Sequence, residues 1–466
     1  MYRIPDEYFF RLHHVRPRFK GDVENVLIYM AEELCRIGAQ PNDVFKQAVN
    51  DSIKLFPGNI TKKQKTIDNW RTEISSLFGL IIDDGNVSKA SLRAEELAQN
   101  EDLVEFFKKF LFTFQYPGAH IKNHEIYSIL ERNIKFKPVQ YLITLLNTAE
   151  KLTGKRAAIT KGEFCHCVFN DLRCTRDHEA FEVTWKRICT NRENNIQYDL
   201  SGDIVRYAGD IIDYMEIANL IVTYDGFNYF TNSLESESLM IFENSKEWFS
   251  GYDSIDLDIH SIGRIKHHWF QYVNRNLEDS DFATDILSFI SHDEQEYRRL
   301  VSASYTLLDK RLEDVSTLRT KDIGDIGEGM VFGHEKQRVK NGGRADLLHL
   351  IQRIPTQFAV GYDISSVELD ERRRYIEVKT TISSKPLHFN KIHLTPNEWR
   401  TASTVNGSYF VYRLMISKNE TKLFVIQDPV YLYKNDLIDM LPKDGADITF
   451  DTNKSGKFEE LLTWIG

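Results

Sequence analysis

The 466-residue sequence contains no run of eighteen apolar residues, so no helix built to cross a bilayer is expected. It is also poor in cysteine: there are five, and four of them gather between Cys165 and Cys189. An odd, clustered set suits free thiols in a reducing compartment better than a disulfide framework, and it points to the cytoplasm. The opening Met1-Tyr2-Arg3-Ile4-Pro5-Asp6-Glu7 lacks the basic-then-apolar order of a secretory leader. Positive charge is lacking overall. The formal net charge of −10 argues mildly against a nucleic-acid partner, although local patterning rather than the sum steers binding. The group Cys165-His166-Cys167 with Cys174, His178 and Cys189 matches no common zinc spacing. A helix over 163–170 would put alternate cysteines on different faces, so these thiols read as small buried hydrophobes.

What is present is ordinary globular material. With 42% hydrophobic residues, a chain of this length should bury two or three cores. Its N-terminal half carries basic segments. Residues 1–20 include Arg16 and Arg18, and residues 51–72 include Lys62, Lys63, Lys65 and Arg71. Ile67, Trp70, Ile74, Leu77 and Phe78 recur at helical spacing. Gly79–Ile82 then reads as a strand, Asp83-Asp84-Gly85-Asn86 as a hairpin turn and Val87-Ser88 as the return. A helix followed by a hairpin is the pattern of a winged helix. Its face around Lys65, Asn69 and Arg71 would meet the major groove of a duplex, with Arg16, Arg18, Lys62 and Lys63 as supporting contacts. The pattern returns as a helix over 203–219 and strands at 220–224 and 227–231, hinged at Asp225-Gly226. Two recognition subdomains, 1–120 and 121–250, are therefore expected. A linker with a bridging helix over 251–315 and a C-terminal domain over 316–466 would follow.

That last domain carries the chemistry. Gly361-Tyr362-Asp363-Ile364 and Arg374-Tyr375-Ile376-Glu377-Val378-Lys379-Thr380-Thr381 are two apolar runs joined by a charged turn. As strands they alternate faces, so Glu377 and Lys379 share a side, and antiparallel pairing can bring Asp363 beside them. Two carboxylates suffice for magnesium, which keeps its waters and takes substrate phosphate as a further ligand. A lysine on the same face can orient the attacking water or stabilise developing charge. Taken alone, Glu-x-Lys fits any half-exposed strand. The surroundings sharpen it. A helix opens after Asp322 or Asp325 and puts Glu328 and Glu335, seven apart, on one face. Ile392-His393-Leu394 reads as a third strand of the meander. Thr395-Pro396-Asn397-Glu398 carries a capping box and a helix-opening proline, and strands follow near 409–416 and 421–427.

The order Glu328, Asp363, Glu377-Val378-Lys379 resembles the PD-(D/E)xK nuclease superfamily. The finer text, from Gly-Tyr-Asp-Ile through Ile-Glu-Val-Lys-Thr-Thr to Asn397-Glu398-Trp399, is similar to the C-terminal family of NO VEIN-type proteins. The resemblance covers about residues 316–430; one departure is Tyr362 where the superfamily usually has proline. The N-terminal half resembles the winged-helix recognition regions of type II and IIS restriction enzymes. These likenesses imply a multi-domain α+β chain, with a mostly helical recognition region and an α/β nuclease core of mixed sheet flanked by helices. They assign Asp363 and Glu377 as metal ligands, Lys379 as the catalytic lysine and Glu328 as the helical acid. The implied activity is that of a magnesium-dependent, type II-like site-specific deoxyribonuclease, with manganese as a substitute. It would act on double-stranded DNA in restriction–modification and phage defence. The implied partners are a transient second copy held through the nuclease domain and a cognate DNA methyltransferase. The alternatives are a DNA-binding subunit of a regulatory or defence complex that does not cut, and a modification-dependent endonuclease.

Overall fold

The computed structural model describes residues 1–253, 258–277, 282–291, 293–307, 323–354, 360–385, 387, 390–418, 420–442 and 445–464. They form two units, Met1–Phe282 and Ala283–Gly466.

The first unit is mostly helical, and a helix, a short strand, further helices and a hairpin follow one another in it twice. Helix α1 (Val23–Ile37), strand β1 (Gln40–Pro41), helices α2 (Asn42–Leu55) and α3 (Gln64–Thr72) and the hairpin β2 (Ile81–Asp83) with β3 (Val87–Ala90) form the first pass. Its three strands are ordered β1-β3-β2. Helix α4 (Leu103–Thr113) is buried along nearly its whole length, its charged Lys108 and Lys109 being paired with Glu235 and with Glu96 and Glu105. Its Phe107 and Phe110 pack with Phe78 and Tyr214, the ring centroids lying 5.4–6.2 Å apart. The second pass runs through α5 (Pro138–Thr153), β4 (Ala158–Ile159), α6 (Phe181–Glu193), α7 (Gly202–Ile217), β5 (Ile221–Thr223) and β6 (Tyr229–Thr231). Its strand order, β4-β6-β5, repeats that of the first. Both hairpins stand where the alternation and the Asp-Gly turns place them.

Two expectations change in this unit. Residues 258–277, expected within a linker, are instead packed into this unit. Helix α8 (Ile259–Val273) buries Ile262, Trp269 and Val273, Trp269 lies 5.3 Å from Phe249, and Arg93 Nη2 donates to the Val273 carbonyl at 2.6 Å. The division therefore falls after Phe282. The expected helix around Cys165 is a short α-turn running into a π-turn over Cys165–Phe169. It does bury Cys165 and Cys167 as free thiols, and the following short helix Leu172–Thr175 buries Cys174.

The second unit is built on a six-stranded mixed sheet, ordered β15-β12-β11-β9-β8-β7. After helix α9 (Ile323–Asn341) come β7 (Gln352–Arg353), β8 (Ile364–Val367), β9 (Arg373–Ile382), β10 (Lys391–Leu394), helix α10 (Pro396–Val405), β11 (Tyr409–Ser417), β12 (Glu420–Gln427), β13 (Ile438–Pro442), β14 (Ala446–Phe450) and β15 (Lys457–Glu459). β11 runs parallel to β9, and the other pairs of this sheet are antiparallel. α9 lies so close to β9 that a Cβ at Gly327 would overlap Thr380 Oγ1. The opposite face carries an apolar cluster of Ala402, Tyr409, Val411 and Ile426 with Ile392, Leu394 and Ile448.

The third strand of the meander is thus β7, not Ile392–Leu394. β10 leaves the main sheet and pairs with β14, giving a second sheet ordered β10-β14-β13. Gly445, at φ +120°, opens that pairing, and any side chain there would collide with the Leu394 carbonyl. Of the run Gly361–Ile364 expected as the first strand, only Ile364 falls within β8, where regular pairing begins.

Candidate active site

β8 and β9 pair with Ile364 opposite Ile376. The Asp363 N–H continues that ladder, donating to the Ile376 carbonyl at 2.9 Å. Asp363 therefore stands across from Glu377. Its Oδ2 accepts from the Val378 N–H at 2.8 Å, which fixes the carboxylate over the sheet edge. Alternation along β9 puts Glu377, 4% exposed, and Lys379 on the same face. Lys379 Nζ lies 2.8 Å from Glu377 Oε1 and 3.0 Å from Glu398 Oε2. Glu398 comes from the first turn of α10, where a capping box with Thr395 fixes it. Asp363, Glu377 and Lys379 are thus brought together as the alternation requires.

The electrostatics are unbalanced. Three carboxylates share one ammonium. Burial pushes Glu377 well above the usual carboxylate range, with Asp363 and Glu398 adding to the push and Lys379 opposing it. Burial also raises Asp363, against the Val378 N–H and Lys379. Lys379 is raised although burial alone would lower it, because Glu377 and Glu398 face it. Glu398 is lowered against the resistance of burial, because Lys379 sits on it. A buried constellation with excess negative charge and hard oxygen donors suits a divalent cation. Among the described residues no group of three or more His, Cys, Asp or Glu is placed to hold a metal. At the cysteine cluster burial pushes the Cys165 thiol up to about 12 and Cys167 up to about 11, away from thiolate chemistry.

The two helical acids have other partners. Arg353 on β7 donates to Glu328 at 2.6 Å, and α9 covers the face of β9 opposite Glu377. Glu335 is fully buried and accepts from Arg338 (2.8 and 2.7 Å), Ser366 (2.6 Å) and Tyr412 (2.8 Å). The residue that sequence reasoning missed is Glu398. Its capping box was legible as a helix start, but an N3 side chain folded back over the cap can also reach across to a strand.

The basic residues of the first unit divide as well. Arg16 Nε lies 3.1 Å from the buried Asp210, and Lys20 bridges Asp210 and Asp213 on α7. Arg71 donates to Asn50 and to Asp68. Arg16 and Arg71 are thus engaged within the fold. Lys62, Lys63 and Lys65 are exposed at the start of α3, Lys62 with its ammonium 5.2 Å from the Trp70 ring. Asn69 is half-buried on the same helix, and the Arg18 side chain is 63% exposed.

Comparison with known proteins gives two family matches and one structural likeness. Residues 2–270 match the family described as restriction endonuclease BpuJI, N terminal. Residues 327–426, which include Asp363, Glu377, Lys379 and Glu398, match the family described as protein NO VEIN, C-terminal. A crystal structure of pyrene- and phenanthrene-modified DNA in complex with the BpuJ1 endonuclease binding domain is similar to this chain at 22% identity and a TM-score of 0.53, covering 59% of this chain and 100% of that one. No curated protein matches.

Proposed function

This chain belongs to the restriction endonuclease BpuJI N-terminal family, and from that premise we propose that it is a restriction-type DNA endonuclease. Its first unit would select double-stranded DNA and its second would hydrolyse a phosphodiester with a divalent metal. The observation that carries the reading is the group Asp363, Glu377 and Lys379 on one sheet face, with more buried negative charge than the one lysine balances. The strand order around it, a β7-β8-β9 meander followed by α10 and the parallel β11, supports a PD-(D/E)xK core. The doubled helix-and-hairpin order supports two winged-helix subdomains. The DNA complex of the similar binding domain supports DNA as the ligand of the first unit.

Asp363 and Glu377 would hold Mg2+, with Mn2+ as a substitute; the ion supplies a more acidic water and neutralises charge on the phosphate. Lys379 is cationic and directs its ammonium over the same face. It orients the incoming water and stabilises the negative charge that grows on the phosphate as the new P–O bond forms and the bond to the leaving sugar oxygen breaks. Glu328 acts at one remove, through Arg353, whose charge is felt by Asp363. Lys62, Lys63, Lys65 and Arg18 contact phosphates, and Asn69 faces the groove. One such site hydrolyses one strand at a time, so a double-strand break calls for a second copy that joins through the nuclease unit. A cognate methyltransferase would protect the host site.

The test is cleavage of plasmid and phage DNA by the full chain, with Mg2+, Mn2+ or EDTA, on methylated and unmethylated substrates. Discrete fragments that need the metal and share a sequence at their ends are expected from unmethylated DNA. Tight duplex binding with no cut in either metal would leave a DNA-binding subunit of a larger complex. Cleavage confined to methylated DNA would make it modification-dependent.

A further inference from the structure

We infer that Glu398 is the positioning residue for Lys379, and that the first turn of α10 is a clamp holding the Asp363 loop and the Lys379 ammonium in one register. This rests on the nuclease reading above and assigns a role to a residue outside its metal-and-lysine set.

Two groups of contacts converge on that turn. Glu398 Oε2 accepts from the Thr395 N–H at 3.0 Å and lies 3.0 Å from Lys379 Nζ, while the Glu398 N–H donates to Thr395 Oγ1 at 3.3 Å. The carboxylate is therefore fixed by its own helix start before it meets the lysine. One turn later, Thr401 Oγ1 donates to the Val360 carbonyl at 3.0 Å. Gly361, at φ +81°, approaches so closely that a Cβ there would lie 2.5 Å from Thr401 Oγ1 and 2.9 Å from the Asn397 carbonyl. Tyr409, at the start of β11, donates to the Gly361 carbonyl at 2.9 Å. The loop that delivers Asp363 is thus seated against α10, and α10 also grips Lys379.

The clamp has a reason in the chemistry. Lys379 is held by Glu377 and by Glu398. A divalent cation drawn to Glu377 repels the ammonium and competes for the oxygen that holds it. A lysine side chain with four rotatable bonds then scatters unless a second acceptor, outside the pair of metal ligands, keeps it in place. Glu398 is that acceptor. Displacing a reacting group by ~1 Å can cost about 10²-fold in rate, so the second acceptor matters even though it touches neither water nor phosphate.

Glu398→Gln separates this role from that of the cap. Glutamine serves at the third position of a capping box as glutamate does, so a purely structural Glu398 predicts wild-type behaviour for the Gln variant. The positioning role predicts an unchanged melting temperature, DNA affinity and half-saturating Mg2+ concentration, with the single-turnover cleavage rate lowered about 10- to 100-fold. Glu398→Ala should be slower still and less stable, since it also loses the cap. A wild-type rate in Glu398→Gln would overturn the proposal. A raised Mg2+ requirement would overturn it too, by making Glu398 a metal ligand. Crystal structures of the wild type and Glu398→Gln with Ca2+ give a readout independent of turnover. The lysine should be ordered against residue 398 in the first and displaced in the second, and an unmoved Lys379 would refute the clamp. Should the wild type cut no DNA in any metal, the nuclease reading falls, while the position of Lys379 in these two structures still decides the clamp.

Discussion

The two faces of β9 carry buried charge in opposite states. On the face under α9, Glu335 is surrounded by Arg338, Arg374, Ser366 and Tyr412. Burial would raise it, yet those partners hold it below the usual carboxylate range. Arg374 in turn donates to Tyr412 at 2.6 Å and to Glu368 at 2.8 Å. On the other face, three positions along the strand from Arg374, burial and like charge drive Glu377 up, and a single lysine is shared among its neighbours. The first arrangement satisfies itself and stabilises the fold. The second leaves burial and like charge unrelieved around Glu377, with Lys379 opposing them. Local imbalance maintained by a well-satisfied scaffold is the usual physical mark of a site, and here scaffold and site share one strand.

The contrast makes its largest demand on activity. Asp363→Ala should lower metal-dependent cleavage by about 10³-fold or more, with the melting temperature and duplex affinity of the wild type retained. Removing one of two repelling carboxylates costs the fold little. A variant that lost structure along with activity would put Asp363 in the scaffold after all, and circular dichroism beside a cleavage assay would show it.

The opposite face should respond in the opposite way. Glu335→Ala leaves Arg338 and Arg374 buried without their shared acceptor, and breaking a buried pair in this manner costs about 3–5 kcal/mol. Thermal or urea unfolding should report that loss, while the folded fraction keeps most of its cleavage rate. If Glu335→Ala is fully stable but inactive, the helical acid of the site is Glu335 and the division between the two faces fails.

A smaller effect comes from pH and metal together. The folded-state pKa of Glu335 is depressed, so its stabilisation is present above the ordinary carboxylate pKa and is lost as pH falls through the lower folded value. Glu377 has the reverse sign. Its folded-state pKa is raised, so its favourable contribution is present below the ordinary range and is lost as pH rises through the folded value. At neutral pH the wild type should therefore be less stable than Glu377→Gln. Mg2+ should raise the wild-type melting temperature, by about 2.7 kcal/mol of stabilisation at a hundred times its dissociation constant. Glu377→Gln and Asp363→Ala should lose that response. A melting temperature indifferent to Mg2+ in the wild type would count against the two-carboxylate site.

Alternation made half of this contrast legible from sequence. Period-two strands convert Glu377-Val378-Lys379 into a shared face, and a hairpin converts Asp363 into their neighbour, so three site residues follow from local rules. Glu398 escaped because its partner lies across the sheet, and because its capping role already accounted for its presence. β7 is two residues long and has no periodicity to read. Lys391–Leu394 has the alternation of a strand whichever sheet it joins, and only the close approach at Gly445 settles which. In the first unit both hairpins could be read from their turns, whereas the fates of Arg16 and Arg71 could not. Asp210 is distant from Arg16 in sequence, Arg71 reaches Asn50 as well as the neighbouring Asp68, and a basic residue reads alike whether it faces phosphate or an acceptor within the fold.

That last ambiguity yields the smallest and most selective test, because the contrast of satisfied and unsatisfied charge recurs in the first unit. Arg16 and Arg71 lie within hydrogen bonds and ion pairs, whereas Lys62, Lys63 and Lys65 are exposed. Each exposed lysine that contacts a phosphate releases about one counterion, so its loss should reduce the slope of log affinity against log salt by about 0.9. Lys65→Ala should accordingly weaken binding severalfold and to a similar degree on cognate and random duplexes, without altering stability. Arg16→Ala should do the reverse: it lowers stability by leaving the buried Asp210 with fewer partners and leaves the salt slope unchanged. Binding titrations at three or more salt concentrations, beside unfolding curves, separate the two outcomes. A change of slope in Arg16→Ala would mean that the arginine leaves Asp210 to meet DNA, so that the ion pair seen here is the resting arrangement of a contact residue rather than part of the fold.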